Sequence, residues 1–303
     1  MITAGADGIG YAIAQRFEKA GAKVFVCDIN EEAVNRANEV DDNIKAMVCD
    51  LRQTQLIASM VEAGFDYLKD LDIIVNNAGI AGETAGVGEQ TLGGWQECIQ
   101  VNMTSHFETM RLAVPRMNDE GSILSVSSVA GRVGFAYRLP YAATKWAVIG
   151  MVKSLANELG PRGIRVNALL PGIVEGERQN RVIEAKAKVK NISFDDMKNE
   201  ILSGASLNRF VTHEDLAEQA HFLCSPLGKN ISGQASSLPM IRSLLPSPKA
   251  TPSRKWQACR LRRLMTIPGS TGRCWLDQFS LVTLKIMTIL DLKLPHGIGI
   301  SLM

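Results

Sequence analysis

The chain has no apolar run approaching the roughly 20 residues of a membrane-spanning helix, and Met1 is followed by Ile2, Thr3 and Ala4 with no basic stretch leading into an apolar segment. Neither a membrane span nor a secretory leader is expected. The six cysteines (Cys27, Cys49, Cys98, Cys224, Cys259, Cys274) are scattered without C-x-x-C spacing, so nothing marks a disulfide framework or a zinc site. Several sit in apolar runs where a thiol packs as a small hydrophobe, and a reducing, cytoplasmic compartment is expected. The four histidines, His106, His213, His221 and His296, stand apart without metal-ligand spacing, and no metal is expected. Acidic residues are almost missing from the C-terminal part: beyond residue 239 there are 2 of the 31 Asp and Glu but 10 of the 33 Lys and Arg.

The net charge of +2 therefore divides into a body of −6 and a tail of +8, and six of the eleven prolines fall at or after Pro239. The tail keeps neither a helical nor a strand period. Residues 1–235 are expected to form the folded domain, and residues 236–303 a basic, disordered or frame-shifted segment. The competing reading is an accessory arm for nucleic acid or an anionic surface, since Arg254, Lys255, Arg260, Arg262 and Arg263 surround Trp256. No recognisable module accompanies them, and no nucleic-acid or membrane partner is expected.

What is present is an alternation of strand-like and helix-like runs. The segments 23–28, 44–50, 71–79, 122–128 and 164–172 are short, apolar and rich in Val and Ile, the composition of parallel strands buried on both faces. Helical spacing occupies 8–20, ended by Gly21, and 53–68, 92–118 and 140–160. Thr212 and Asp215 open a further helix as a capping box. This pattern predicts an α/β fold, a Rossmann-type doubly wound parallel sheet with helices on both faces. Its first strand looks truncated, because the glycine-rich turn begins at residue 4.

Two constellations carry chemistry. The turn Thr3-Ala4-Gly5-Ala6-Asp7-Gly8-Ile9-Gly10 opens a helix, where small residues let a pyrophosphate approach free backbone N–H groups. Taken alone it is equally a plain turn. Asp28 ends the second strand 18 residues after Gly10, where a carboxylate accepts from ribose hydroxyls and repels a 2′-phosphate; NAD is expected, NADP less so. Asp28 also reads as a helix cap before Asn30-Glu31-Glu32. In the second constellation Tyr141 and Lys145 stand four apart at the start of a helix, on one face, behind Pro140. A cation beside a phenol favours the phenolate, so the pair can move a proton; a surface Tyr with a solvated Lys shows the same spacing.

With Asp50, Asn76-Asn77-Ala78-Gly79, Asn102 in QVNMTS, Ser128 in SVSSVAG, Tyr141-Ala142-Ala143-Thr144-Lys145, Pro171-Gly172 and Ile231-Ser232-Gly233-Gln234 added in this order, residues 2–234 resemble the single-domain, ordinary-length branch of the short-chain dehydrogenase/reductase family. The resemblance implies strand order 3-2-1-4-5-6-7 and hydride transfer between nicotinamide and a secondary alcohol or ketone, of hydroxy acid, sugar or 3-oxoacyl type. It implies Tyr141 as general acid or base, Lys145 as its partner and ribose ligand, Ser128 on the substrate oxygen and Asn102 in a proton relay. It also implies cofactor contacts at Thr3, Gly8, Ile9, Gly10, Asp28, Asp50, Leu51, Asn77, Ala78, Gly79, Pro171, Gly172 and Ile173. A small-molecule substrate and a homodimer or homotetramer are the expected partners.

The chain departs from the family pattern at three places. Ala4 replaces the leading glycine of the turn, Gly176 stands where a threonine follows Pro171-Gly172, and Pro239 interrupts the last strand region. The short first strand and the foreign C-terminal tail support an alternative, a catalytically impaired remnant of the family. The substrate pocket is expected to be closed by residues 174–211, where Arg178 and Arg181 are either placed to meet an acidic substrate or solvated helix charges.

Overall fold

The computed structural model describes residues 1–40 and 42–239. The basic tail, with its arginine cluster, Cys259, Cys274 and His296, lies outside the described residues from residue 240 onward. The chain alternates β1 (Ile2–Thr3), α1 (Gly8–Glu18), β2 (Val24–Asp28), α2 (Glu31–Val40), β3 (Ile44–Val48), α3 (Thr54–Leu68), β4 (Ile73–Asn76), α4 (Leu92–Ile99), α5 (Ser105–Ala113), β5 (Ser122–Val126), α6 (Leu139–Leu159), β6 (Arg165–Pro171), α7 (Glu177–Lys190), α8 (Phe194–Ser203), α9 (His213–Cys224) and β7 (Ala235–Leu238).

The strands form one parallel sheet in the order β3-β2-β1-β4-β5-β6-β7, as the resemblance implied. Side chains alternate across it. Phe25, Cys27, Ile74, Ile123, Val166 and Ala168 join a core with Ile57, Met60 and Phe65 of α3, Met110 of α5 and Val152 of α6. Ile2, Val24, Val26, Val75, Leu124 and Leu169 meet Ile13, Ala14 and Phe17 of α1, Val34 of α2 and Leu216 and Ala220 of α9 on the other face. The near-continuous apolar runs of the strands are explained by burial on both faces.

β1 is as short as the sequence suggested, yet the ladder continues past it. Ile2 and Thr3 pair with Val26 and Cys27 of β2, Ile2 pairs with Val75 of β4, Met1 O accepts from Val75 N at 2.9 Å, and Gly5 N donates to Cys27 O at 2.9 Å. The Met1 ammonium donates to Ile73 O at 2.9 Å; burial, its largest influence, lowers its pKa from 8.0 to about 5.

The expected single helix over 92–118 is broken. A π-helical turn, Gln100–Thr104, separates α4 from α5, and a 3₁₀ turn over Val114–Arg116 follows. A π turn carries one extra residue, and here it brings Asn102 to full burial against a neighbouring loop. The capping box at Thr212 forms: Asp215 N donates to Thr212 Oγ1 and Thr212 N to Asp215 Oδ2, both at 3.0 Å. β7 pairs with β6 from Ala168↔Ala235 to Pro171↔Leu238, so the sheet takes in three residues beyond 235 and ends at the one before Pro239. Among the described residues no helix is long and apolar enough to cross a membrane, and Cys27, Cys49, Cys98 and Cys224 are buried free thiols.

Candidate active site

Strand order reverses between β1 and β4, and ligands of doubly wound sheets bind in the crevice beyond the strand C-termini at this point. The glycine turn leaves β1 on one side and Asn77-Ala78-Gly79 leaves β4 on the other. Gly8 adopts φ +53°, which suits glycine, and a Cβ on Gly10 would fall 2.1 Å from Ala4 O and 2.6 Å from Asn77 Nδ2. The turn is therefore closed against the β4 loop by close backbone approach. Asp7 caps α1, its Oδ1 accepting from Gly8 N at 2.8 Å.

The sequence-expected cofactor residues divide into two groups. Thr3 is buried, and its Oγ1 accepts from Asn77 N at 3.1 Å and Ala78 N at 3.2 Å, while Asn77 Nδ2 donates to Ala4 O at 2.8 Å. Thr3 and Asn77 thus bind the two loops to each other. Asp28, at the end of β2, accepts from Ala6 N at 3.3 Å and Asn30 N at 3.1 Å, so its carboxylate lies against the glycine turn and also supports the chain entering α2. Asp50 is held by Arg52, whose Nε and Nη2 approach it at 2.9 Å; the guanidinium is the main cause of its pKa falling to about 2. Leu51 is buried, its carbonyl accepting from Gln100 Nε2 at 3.3 Å. Pro171 closes β6, Gly172 N donates to Leu238 O at 2.7 Å and Ile173 O accepts from Val211 N at 2.9 Å. A Cβ on Gly172 would lie 2.9 Å from Leu238 O, so the end of β7 packs tightly on this loop.

Of the catalytic candidates, Lys145 and Asn102 meet at the β4 loop, and Tyr141 adjoins Lys145. α6 carries Tyr141 and Lys145 one turn apart, with Lys145 Nζ 5.8 Å from the Tyr141 ring centroid. Lys145 is 3% exposed, and its Nζ donates to Val126 O at 2.9 Å. A surface Tyr-Lys pair is excluded by that burial. Ser127 Oγ donates to Lys145 O at 2.7 Å, and Ser128 Oγ accepts from Ala130 N at 3.1 Å, which fixes the hydroxyl at the end of β5. Asn102 Oδ1 accepts from Ile80 N at 2.7 Å, and its Nδ2 donates to Ile80 O at 3.0 Å and Thr144 Oγ1 at 3.1 Å. Gly79 lies between them: a Cβ there would sit 3.0 Å from Lys145 Nζ and 3.5 Å from Asn102 Oδ1.

Two residues of this neighbourhood were given no role by the sequence reading. Arg138 places its guanidinium carbon 4.9 Å from the Tyr141 ring centroid and donates from Nη2 to Ala81 O at 3.0 Å. His106 is fully buried, and its Nε2 lies 2.9 Å from Ala78 O. Burial, then the Lys145 charge, lowers the His106 pKa from 6.5 to about 3. The signal for His106 was its position four after Asn102, on the same helical face. Among the described residues no group of His, Cys, Asp and Glu is arranged to hold a metal ion.

A parallel seven-stranded sheet with a glycine turn at its switch point, and a buried Lys145 beside Tyr141, define a Rossmann-type α/β architecture. The profile of a family described as enoyl-(acyl carrier protein) reductase matches residues 3–238. An uncharacterized oxidoreductase of Bacillus subtilis is 33% identical over 242 residues, covering 78% of this chain and 94% of its own. A 3-oxoacyl-[acyl-carrier-protein] reductase of Chlamydia muridarum is 30% identical over 245 residues, with 78% and 94% covered. The crystal structure of a 3-ketoacyl-(acyl-carrier-protein) reductase of Brucella melitensis complexed with NADH superposes with TM-score 0.68 at 30% identity, again covering 78% and 94%. An actinorhodin polyketide ketoreductase solved with NADPH reaches TM-score 0.73 at 29% identity, with the same shares covered. The chain belongs to the short-chain dehydrogenase/reductase family and is an oxidoreductase of it.

Proposed function

We propose that the protein moves a hydride between a nicotinamide cofactor and a secondary alcohol or ketone, with Tyr141 as general acid and base. The observation that carries this reading is the buried Lys145 ammonium 5.8 Å from the Tyr141 ring, its Nζ held on Val126 O, two residues before Ser128 in the chain. The crevice fits a dinucleotide: Gly8 and Gly10 keep the turn free of side chains, and the N-terminus of α1 opens towards it. In this reading Thr3, Gly8, Ile9, Gly10, Asp28, Asp50, Leu51, Asn77, Ala78, Gly79, Pro171, Gly172 and Ile173 line the cofactor path, and nicotinamide supplies or accepts the hydride.

The remaining chemistry belongs to the chain. Ser128 Oγ orients the substrate oxygen, Tyr141 Oη gives or takes its proton, and Lys145 holds the ribose. Asn102, fixed on Ile80, anchors the water through which the proton returns to solvent. Asp28 favours NAD over NADP by repelling a 2′-phosphate. The relatives named for 3-oxoacyl reduction favour a 3-oxoacyl or hydroxy-acid substrate. Exposed Phe107 and Trp146, on α5 and α6, favour a homo-oligomer, and the reduced thiols a cytoplasmic setting.

Fluorescence titration with NADH and NADPH is the direct test, expected to show tighter binding of NADH. Tyr141→Phe is expected to lose at least about 100-fold in turnover, the scale of general acid–base catalysis, while keeping cofactor affinity. Retained turnover would refute the role of Tyr141. Binding of neither cofactor by folded protein would establish the second reading, an impaired family member.

A further inference from the structure

We propose that His106 is a positioning residue of the cofactor loop, its neutral Nε2–H pinning the Ala78 carbonyl so that the loop is gripped from both sides. This inference rests on the dinucleotide-binding reading of the β4 loop. From the β1 side, Thr3 Oγ1 accepts from Asn77 N and Ala78 N, and Ala4 O accepts from Asn77 Nδ2. From the helix side, Asn102 takes both backbone groups of Ile80, and His106, four residues on, takes Ala78 O at 2.9 Å. Both peptide groups of Ala78 are thereby fixed from opposite directions. Gly79, between the gripped residues, has no latitude, since even a Cβ there would meet Lys145 Nζ at 3.0 Å.

The tautomer follows from the partners. A carbonyl only accepts, so Nε2 carries the proton and Nδ1 is bare; Nδ1 has no hydrogen-bond partner among the described residues. Burial and the nearby Lys145 ammonium both oppose a second proton, which keeps the ring neutral over the working pH range. An apolar side chain would fill the same space without the hydrogen bond. The donor itself is therefore the feature whose purpose needs explaining, and the Ala78 carbonyl is what it serves.

The experiment compares His106→Gln, whose amide nitrogen reaches as far as Nε2, with His106→Asn, whose amide falls short. In full-length protein without cofactor, amide hydrogen exchange over residues 77–80 is expected to quicken roughly 5-fold or more in His106→Asn and to stay near wild type in His106→Gln. With NADH added, His106→Asn should bind roughly 5- to 10-fold more weakly, as for the loss of one hydrogen bond, with kcat changed less than about 2-fold. A purely packing role predicts that His106→Met, of similar reach to Gln and without a donor, keeps the exchange and affinity of His106→Gln, and that result overturns the proposal. Should His106→Asn fail to fold, His106→Met gives the same comparison. If the wild-type protein binds neither NADH nor NADPH, the function reading falls, and the exchange comparison alone upholds or overturns the clamp.

Discussion

Ala4 sits at φ +49° in the turn that leaves β1, in the left-handed region where a Cβ crowds the following carbonyl. The sequence showed only that a small residue stood in place of a glycine; that it is held in a glycine conformation depends on Asn77 Nδ2 pulling on Ala4 O and on Gly10 packing beneath it. Ala4→Gly should therefore relieve strain of about 1–2 kcal/mol, less about 0.5–1 kcal/mol for the greater freedom of unfolded glycine. The expected result is a net gain of up to about 1.5 kcal/mol in urea unfolding, without loss of cofactor binding. A loss of stability would mean that the turn does not hold Ala4 in that conformation.

Among the elements, α9 depends on β6 for its C-terminus. Arg165 Nη2 donates to Cys224 O at 3.0 Å and Ser225 O at 3.4 Å, and Nη1 donates to Gly228 O at 3.1 Å and to Leu223 O. One guanidinium thus serves Leu223 O and Cys224 O, at the end of α9 where a helix leaves its carbonyls without intrahelical partners, and reinforces the turn that follows. Arg165→Ala should cost about 1–3 kcal/mol, the range for hydrogen bonds from a charged donor, with Arg165→Lys intermediate. Chemical denaturation of the three proteins checks the order, and equal stability would show that water replaces the cap.

The strand pattern and the capping box at Thr212 were legible because burial on two faces and local capping are written in short-range composition. The π turn was not. The apolar period through 92–118 suits one continuous helix, and the extra residue at 100–104 is imposed by Asn102 reaching Ile80, a contact with a loop 22 residues earlier. Spacing likewise placed Tyr141 and Lys145 on one face, whereas the burial that separates a proton-transfer pair from a surface pair comes from Val126, Ser127 and Gly79 packed around it.

For the whole molecule, the buried His106 ties stability to pH. Its folded pKa of about 3 lies below the ordinary 6.5, so as pH falls below 6.5 the unfolded chain takes up a proton that the folded chain refuses. Its contribution is intact above pH 6.5 and is lost towards pH 3, at up to about 1.4 kcal/mol per pH unit. The Met1 ammonium acts in the same direction between pH 8.0 and about 5. Unfolding free energies at pH 7.5, 6.5 and 5.5 isolate the histidine by difference: below about pH 6.5, His106→Gln should show the shallower acid slope. Identical slopes would mean that His106 is solvated in the native protein.

The bonds joining Thr3 and Ala4 to Asn77 and Ala78 cross 73 to 75 residues of chain. During synthesis β2 follows β1 closely, but the strand that covers the other edge of β1 is not made until β4. At about 5–20 residues per second, the stretch between those strands takes roughly 2–10 s to be translated. Throughout that interval the middle of the future sheet presents a bare apolar edge, and the crevice that defines the protein has only one wall. The nascent chain is therefore most exposed to aggregation at the place where the finished fold is most deeply buried.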